Sequence, residues 1–144
     1  MRVLTNRYRH LLTLLILVTC GVSEASDHIE SDVRVNGTWD VNFSGIVEGS
    51  GTSQTDTFVM ELEQDGSSVK GTLRFKGLDL SFPVSGKVAA TTFTYSAKAS
   101  ISPKCEFTLV GETVVDETAN RMTGSQTQTN CEGTAKGEVA AVRR

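Results

Sequence analysis

Few residues in this sequence can do chemistry. Among its 144 residues are three cysteines (Cys20, Cys105 and Cys131), two histidines (His10 and His28) and one tryptophan, Trp39. Cys20 stands apart at the end of an apolar run, which leaves Cys105 and Cys131 as a pair. In an exported domain such a pair is most simply a disulfide. The bridge would contribute roughly 3–4 kcal/mol through loop-closure entropy. The alternative is two free buried thiols. A structural zinc site has no Cys-x-x-Cys spacing to build on, and no histidine follows residue 28. No metal or cofactor is expected.

Catalytic groups are scarce. Histidine-based acid–base or triad chemistry has no candidate beyond residue 28. No glycine-rich loop follows a strand and opens a helix, so the glycine runs read as turns and not as phosphate cradles. Lysine and arginine number 14 against 17 acids, a net charge of −3, which excludes a basic nucleic-acid binder.

These residues must be placed by the elements that carry them. Arg2, Arg7 and Arg9 precede an apolar core from Leu11 to Val18, too short to span a bilayer and arranged like a secretory signal. Two cleavage readings stay open. Leu17-Val18-Thr19-Cys20 resembles a bacterial lipobox, in which Cys20 becomes the lipidated first residue. Cleavage after Ala25, at Ser23-Glu24-Ala25, would instead release a free protein. Without residues 1–25 the chain carries a net charge of −5. Residues 26–36 are polar and without period, and read as a tether.

From Gly37 the period is two almost to the end, and no later stretch has the spacing of an amphipathic helix. Trp39, Val41 and Phe43 alternate with polar residues, as do Phe58, Met60 and Leu62. Val69, Gly71, Leu73 and Phe75 follow, then Leu80, Phe82, Val84, Gly86 and Val88. Phe93, Tyr95, Ala97, Ala99 and Ile101 form a fifth set, and Cys105, Phe107, Leu109 and Gly111 a sixth. Met122, Gly124, Gln126 and Gln128 precede the last set, Cys131, Gly133, Ala135, Gly137, Val139 and Ala141. That predicts eight half-buried strands. Asp65-Gly66 is a strong hairpin signal. Breaks fall at 49–56, 76–79, 102–104, 116–121 and 129–130. Pro83, inside a strand, calls for a bulge or a local edge. Glu61, Glu63, Glu106, Glu112, Glu132 and Glu138 share the outward parity and read as a solvated face.

Glycines recur on the apolar parity, at Gly71, Gly86, Gly124 and Gly133, where a closing sheet needs room to bend. Short links and one apolar face predict an all-β, eight-stranded antiparallel up-and-down barrel over residues 37–144. A two-sheet sandwich is the alternative. An outer-membrane barrel has the wrong sign, because its outward face would have to be the apolar one.

In such a meander the first and last strands pair. Trp39 then lies beside Arg143, and a guanidinium over the indole face would contribute on the order of 0.5–2 kcal/mol and plug that end. The breaks at 49–56, 76–79, 102–104 and 129–130 gather at the opposite end, where Cys105 and Cys131 also fall. Gly37-Thr38-Trp39 at the start of the first strand, with an arginine after the last, resembles the lipocalin and avidin-like barrels of the calycin group. The resemblance covers about residues 37–144 and implies a floor closed by Trp39 and Arg143, with a ligand mouth at the four opposite loops. The helix that follows the barrel in true lipocalins has no counterpart here, and no biotin-contacting residues are matched.

The inward polar residues Tyr95, Gln126 and Gln128 either bond one another and water or orient a ligand in an apolar cavity. Phe58, Phe75, Phe82, Phe93 and Phe107 either line that cavity or fill it. The expectation is a non-enzymatic exported protein of the bacterial envelope, periplasmic or anchored to a membrane through Cys20. It would hold a small, largely apolar ligand. The alternative is a protein-binding module, such as a hydrolase inhibitor or an assembly partner, built on a solid core.

Overall fold

The computed structural model describes residues 33–144. The signal segment, Cys20, His28 and most of the tether lie outside the described residues. Eight strands follow in order: β1 (Gly37–Val47), β2 (Ser53–Asp65), β3 (Ser68–Phe75), β4 (Ser81–Ala89), β5 (Thr92–Ser102), β6 (Cys105–Val115), β7 (Arg121–Asn130) and β8 (Gly133–Arg143). Each pairs antiparallel with its neighbours, and β1 pairs with β8, so the sheet closes into an up-and-down barrel. Closure leaves no free edge strand running the length of the sheet.

Alternation drives the closure. The inward set of Trp39, Val41, Phe43, Phe58, Met60, Leu73, Phe93, Leu109, Met122, Val139 and Ala141 is buried, while the intervening residues face water. Phe58, Phe75, Phe82 and Phe107 form one cluster with ring centroids 5.2–5.7 Å apart. They fill the half of the barrel nearest the β1–β2, β3–β4, β5–β6 and β7–β8 turns, which we call the mouth. Trp39, Leu62, Val69, Val88, Val115 and Met122 fill the other half, the floor. The lumen is therefore packed along most of its length.

The inward glycines sit where strands approach most closely. A Cβ on Gly71 would overlap the Glu61 carbonyl oxygen, one on Gly124 that of Glu112, and one on Gly137 that of Ser44. Only a residue without a side chain lets neighbouring backbones coil this tightly.

Several boundaries differ from the sequence expectation. β2 begins at Ser53, so the mouth loop is 48–52, and Gln54 and Asp56 are strand residues on the inward parity. The β7–β8 turn is Cys131–Glu132 and not 129–130. Gly133, expected on the apolar face, is an exposed turn exit with φ of 149°. Leu80 and Ile101 are exposed, not buried.

Pro83 explains the last point. Val88 N donates to Ser67 O, so even-numbered β4 residues face β3 and odd-numbered ones face β5. Pro83 would meet Lys98, but has no N–H to offer. Pairing of β4 with β5 stops at Val84 and Ala97, while pairing with β3 runs on to Ser81. The wall thus parts at the mouth between β4 and β5, with Leu78, Leu80 and Ile101 around the opening.

Residues 33–36 also depart from the tether reading. Val35 is fully buried and Val33 nearly so. Val35 N donates to Gln64 Oε1 at 2.7 Å, and Gln64 Nε2 donates to Val33 O at 3.2 Å. Two valines on the inward parity extend the period upstream, and they cap the floor.

Candidate functional site

The floor is a lock built around Arg143. Its guanidinium carbon lies 4.6 Å from the centroid of the Trp39 ring. Its Nε donates to Ala119 O at 2.8 Å, one terminal nitrogen donates to Arg34 O at 2.6 Å and the other to Asn36 O. Trp39 Nε1 donates to Val35 O at 2.7 Å. One cation therefore joins the lead-in segment, the β6–β7 loop and the end of β8, beneath a tryptophan whose own donor is satisfied. Every inward polar donor named here is engaged within the described residues.

Above the floor the core turns polar at one level. The Tyr95 hydroxyl donates to Gln126 Oε1 at 2.7 Å. Phe93 stacks on Tyr95 with centroids 5.1 Å apart. Gly111 stands against the tyrosine ring, where a Cβ would overlap it. Burial pushes the Tyr95 hydroxyl far above the usual tyrosine range, so it remains a neutral donor. Because Tyr95 holds the carbonyl end of Gln126, the amide nitrogen must point elsewhere, and it has no acceptor among the described residues.

Gln128 lies two residues further toward the mouth on the same inward parity. Its Oε1 accepts from Gln54 Nε2 at 3.3 Å, and Gln54 Nε2 also donates to Asp56 Oδ2 at 2.7 Å. Gln128 Nε2 has no acceptor among the described residues either. The two glutamines are only 1% and 4% exposed, so each orphaned donor carries a real desolvation cost, of about 1–3 kcal/mol.

Beside Gln128 is a pocket of about 90 Å³, with Val47, Gln54, Phe107, Asn130 and Ala135 among its walls. Several of its other polar groups are engaged. Thr129 and Thr134 share a hydroxyl–hydroxyl bond of 3.0 Å, and Asn130 Oδ1 accepts from the backbone of Glu132 and Gly133 at 2.8 and 3.1 Å. The turn that forms one wall is held by the Cys105–Cys131 disulfide, with Cα atoms 5.2 Å apart. Pairing of β6 with β7 stops at Thr108 and Thr129, so the bridge takes over where the ladder ends.

Larger hollows of about 590 and 930 Å³ lie on the outer wall among serines, threonines, lysines and glutamates. Tyr95 and Gln126 border the first, but both side chains are buried and do not present themselves there. The mouth pocket is the smaller space and the better site, because Gln128, whose amide nitrogen has no acceptor among the described residues, is one of its walls.

Of the residues singled out in the sequence, Trp39 meets Arg143, Cys105 meets Cys131, and Tyr95 meets Gln126. Gln128 stands apart from the Tyr95–Gln126 pair and takes Gln54 as its partner. Gln54 was missed because residues 49–56 read as a loop. The signal was present: Gln54, Asp56 and Phe58 share one parity. Among the described residues no three histidines, cysteines or acids converge as metal ligands.

No protein-family model matches the chain, and no curated protein matches it. The barrel is similar to a solved rhizavidin–biotin complex, with a TM-score of 0.40 and 17% identity over 73% of this chain and 99% of the other. At that identity and TM-score the likeness says nothing about what this chain binds.

Proposed function

We propose that this protein is a non-enzymatic, exported binding protein of the cell envelope that takes one end of a small, largely apolar molecule into the mouth pocket. The observation that carries the reading is the buried Gln128 amide nitrogen, which has no acceptor among the described residues, on a side chain that lines a pocket walled partly by Val47, Phe107 and Ala135 and partly by polar residues. Buried donors without acceptors are uncommon in folded proteins and call for a partner. Ligand pockets typically occupy roughly 300–1,000 Å³. A pocket of about 90 Å³ therefore admits an end group and not a whole ligand. The rest of the molecule would lie across the mouth rim. Tyr95 and Gln126 support the site from beneath, since the hydroxyl fixes which way the Gln126 amide faces.

Export is supported by the arginine-flanked apolar run at residues 1–25 and by the disulfide, which persists in oxidising compartments. Anchoring through a lipid on Cys20 completes the proposal. Intact-mass measurement of the mature protein would show a diacylated Cys20 or an unmodified N-terminus at Ser26.

The test of binding is native mass spectrometry of the protein purified from its own envelope, followed by denaturing extraction. A co-purifying small molecule that is lost in Gln128→Ala supports the proposal. A protein that carries no adduct, and whose mouth excludes every small-molecule probe, overturns it. A second reading, a protein-binding module on a filled barrel, is favoured by the exposed Leu78, Leu80 and Ile101 around the parted wall. Capture of one specific envelope protein, lost on Leu78→Ser with Leu80→Ser, would establish it instead.

A further inference from the structure

Resting on the mouth-pocket reading, the surroundings of Gln128 go further and select the kind of group that enters. We infer that the inserted end of the ligand is an uncharged hydrogen-bond acceptor of carboxamide or acetamido type, and not a carboxylate, phosphate or amine. Three observations converge on this.

The first is the donor. Gln128 has an N–H with no acceptor among the described residues, while its carbonyl oxygen is engaged by Gln54. Gln54 cannot turn to compensate, because Asp56 holds the same amide nitrogen at 2.7 Å. An ammonium has no lone pair to offer this N–H, so the ligand atom beside it must be an acceptor.

The second is charge. Glu132 lies in the pocket wall and Asp56 stands directly behind Gln54. The nearby cation, Lys136, is drawn to Glu48 at 2.7 Å on the rim. An anion would enter a site with one carboxylate in its wall, a second behind Gln54 and no cation among the described wall residues, and in a partly desolvated pocket that repulsion is weakly screened. A neutral carbonyl accepts the same hydrogen bond without the penalty.

The third is size and polarity. A pocket of about 90 Å³ compares with ~30 Å³ per water in the liquid. It holds a group of a few heavy atoms, too small for a ring system. Val47, Phe107 and Ala135 supply an apolar part of the wall suited to a methyl group, in the same pocket that Gln128 lines. An acetamido group has both halves: a methyl for the wall and a carbonyl for the amide.

The experiment compares isosteric probes. Acetamide and acetate differ in charge but hardly in shape, and methylammonium supplies the cationic control. Each is titrated into the ¹⁵N-labelled protein at low salt while the side-chain amide signals of Gln128 and Gln54 are followed. Acetamide should shift the Gln128 amide saturably and bind at least tenfold more tightly than acetate, with methylammonium giving no saturable shift there. Gln128→Glu, nearly the same size, should abolish the acetamide response. Acetate or methylammonium binding at Gln128 as well as acetamide would overturn the neutral-acceptor inference and leave the pocket as a binding site. No saturable shift at Gln128 or Gln54 with any probe would overturn both. The comparison on the unaltered protein does not depend on the variant folding.

Discussion

Arg143 is the residue on which most separate parts of the chain depend. Its guanidinium serves an aromatic face and three backbone carbonyls from two segments. One of them, Ala119, holds the left-handed conformation at φ 54°, unfavourable for a residue with a Cβ. Removing the side chain strands those carbonyls and exposes the indole. Arg143→Ala should cost about 2–4 kcal/mol, read as a lower urea midpoint with little change in slope. Arg143→Lys should recover only part, because a single ammonium lacks the planar fork of donors that reaches three carbonyls at once. Near-native stability of Arg143→Ala would show that Val33 and Val35 cap the floor unaided.

At the scale of elements, the mouth is where ladders end and other devices take over. Pro83 offers β5 a carbonyl but no N–H, so the Lys98 carbonyl and the Ser100 backbone groups that face β4 lose their partners, while the Lys98 amide keeps the Pro83 carbonyl. Hydrogen exchange should show this directly. The amide of Ser100 should exchange at least a hundredfold faster than that of Ser96, which lies opposite Ser85 in the surviving ladder. Equal protection along β5 would mean that the wall closes in solution. Between β6 and β7 the disulfide replaces the missing pairs. Reducing it should cost roughly 3–4 kcal/mol by loop entropy. The Gln128 amide signal should broaden or shift as the Cys131 turn loosens, while the Trp39 indole signal at the far end stays in place.

At the scale of the molecule, the barrel stands or falls on closure between β1 and β8. Gly137 lies at that seam, against the backbone of Ser44 and Gly45. Gly137→Ala should cost more than about 3 kcal/mol or prevent folding, since the obstruction is backbone and cannot rotate away. Ala140→Gly, on the outward face of the same strand, should cost about 1 kcal/mol or less. The seam also carries a charge cluster: Arg144 donates to both oxygens of Asp40 at 2.8 Å, and Lys76 approaches at 3.3 Å. The Arg144 hydrogen bond, with help from Lys76, holds the Asp40 carboxyl down at about 2 against an ordinary 3.8. Its folded-state pKa is depressed, so this contribution is fully present above the ordinary value and lost as pH falls from about 4 toward 2. Acid unfolding of Asp40→Asn should lack that component, and a pH titration of stability comparing the two proteins between pH 5 and 2 checks it.

The sequence by itself determined the barrel. Period-two alternation is a local property, and eight repeats of it with short links leave one apolar face that only closure buries. Parity alone then placed Trp39 opposite Arg143 and Cys105 near Cys131, since each strand fixes the face of its residues and the meander fixes its direction. The same parity ran on unread at Val33, Val35, Gln54 and Asp56, where too few apolar residues marked it as strand. What only the tertiary structure decided is which inward polar groups are satisfied. Gln126 and Gln128 look alike in the sequence, yet one is oriented by Tyr95 and the other by Gln54, and of the two only Gln128 lines the mouth pocket. Tertiary packing also decided that the phenylalanines fill the lumen, because the volume left inside depends on how far the inward glycines let the wall coil. A period marks a face, but the space behind it is set by every strand at once.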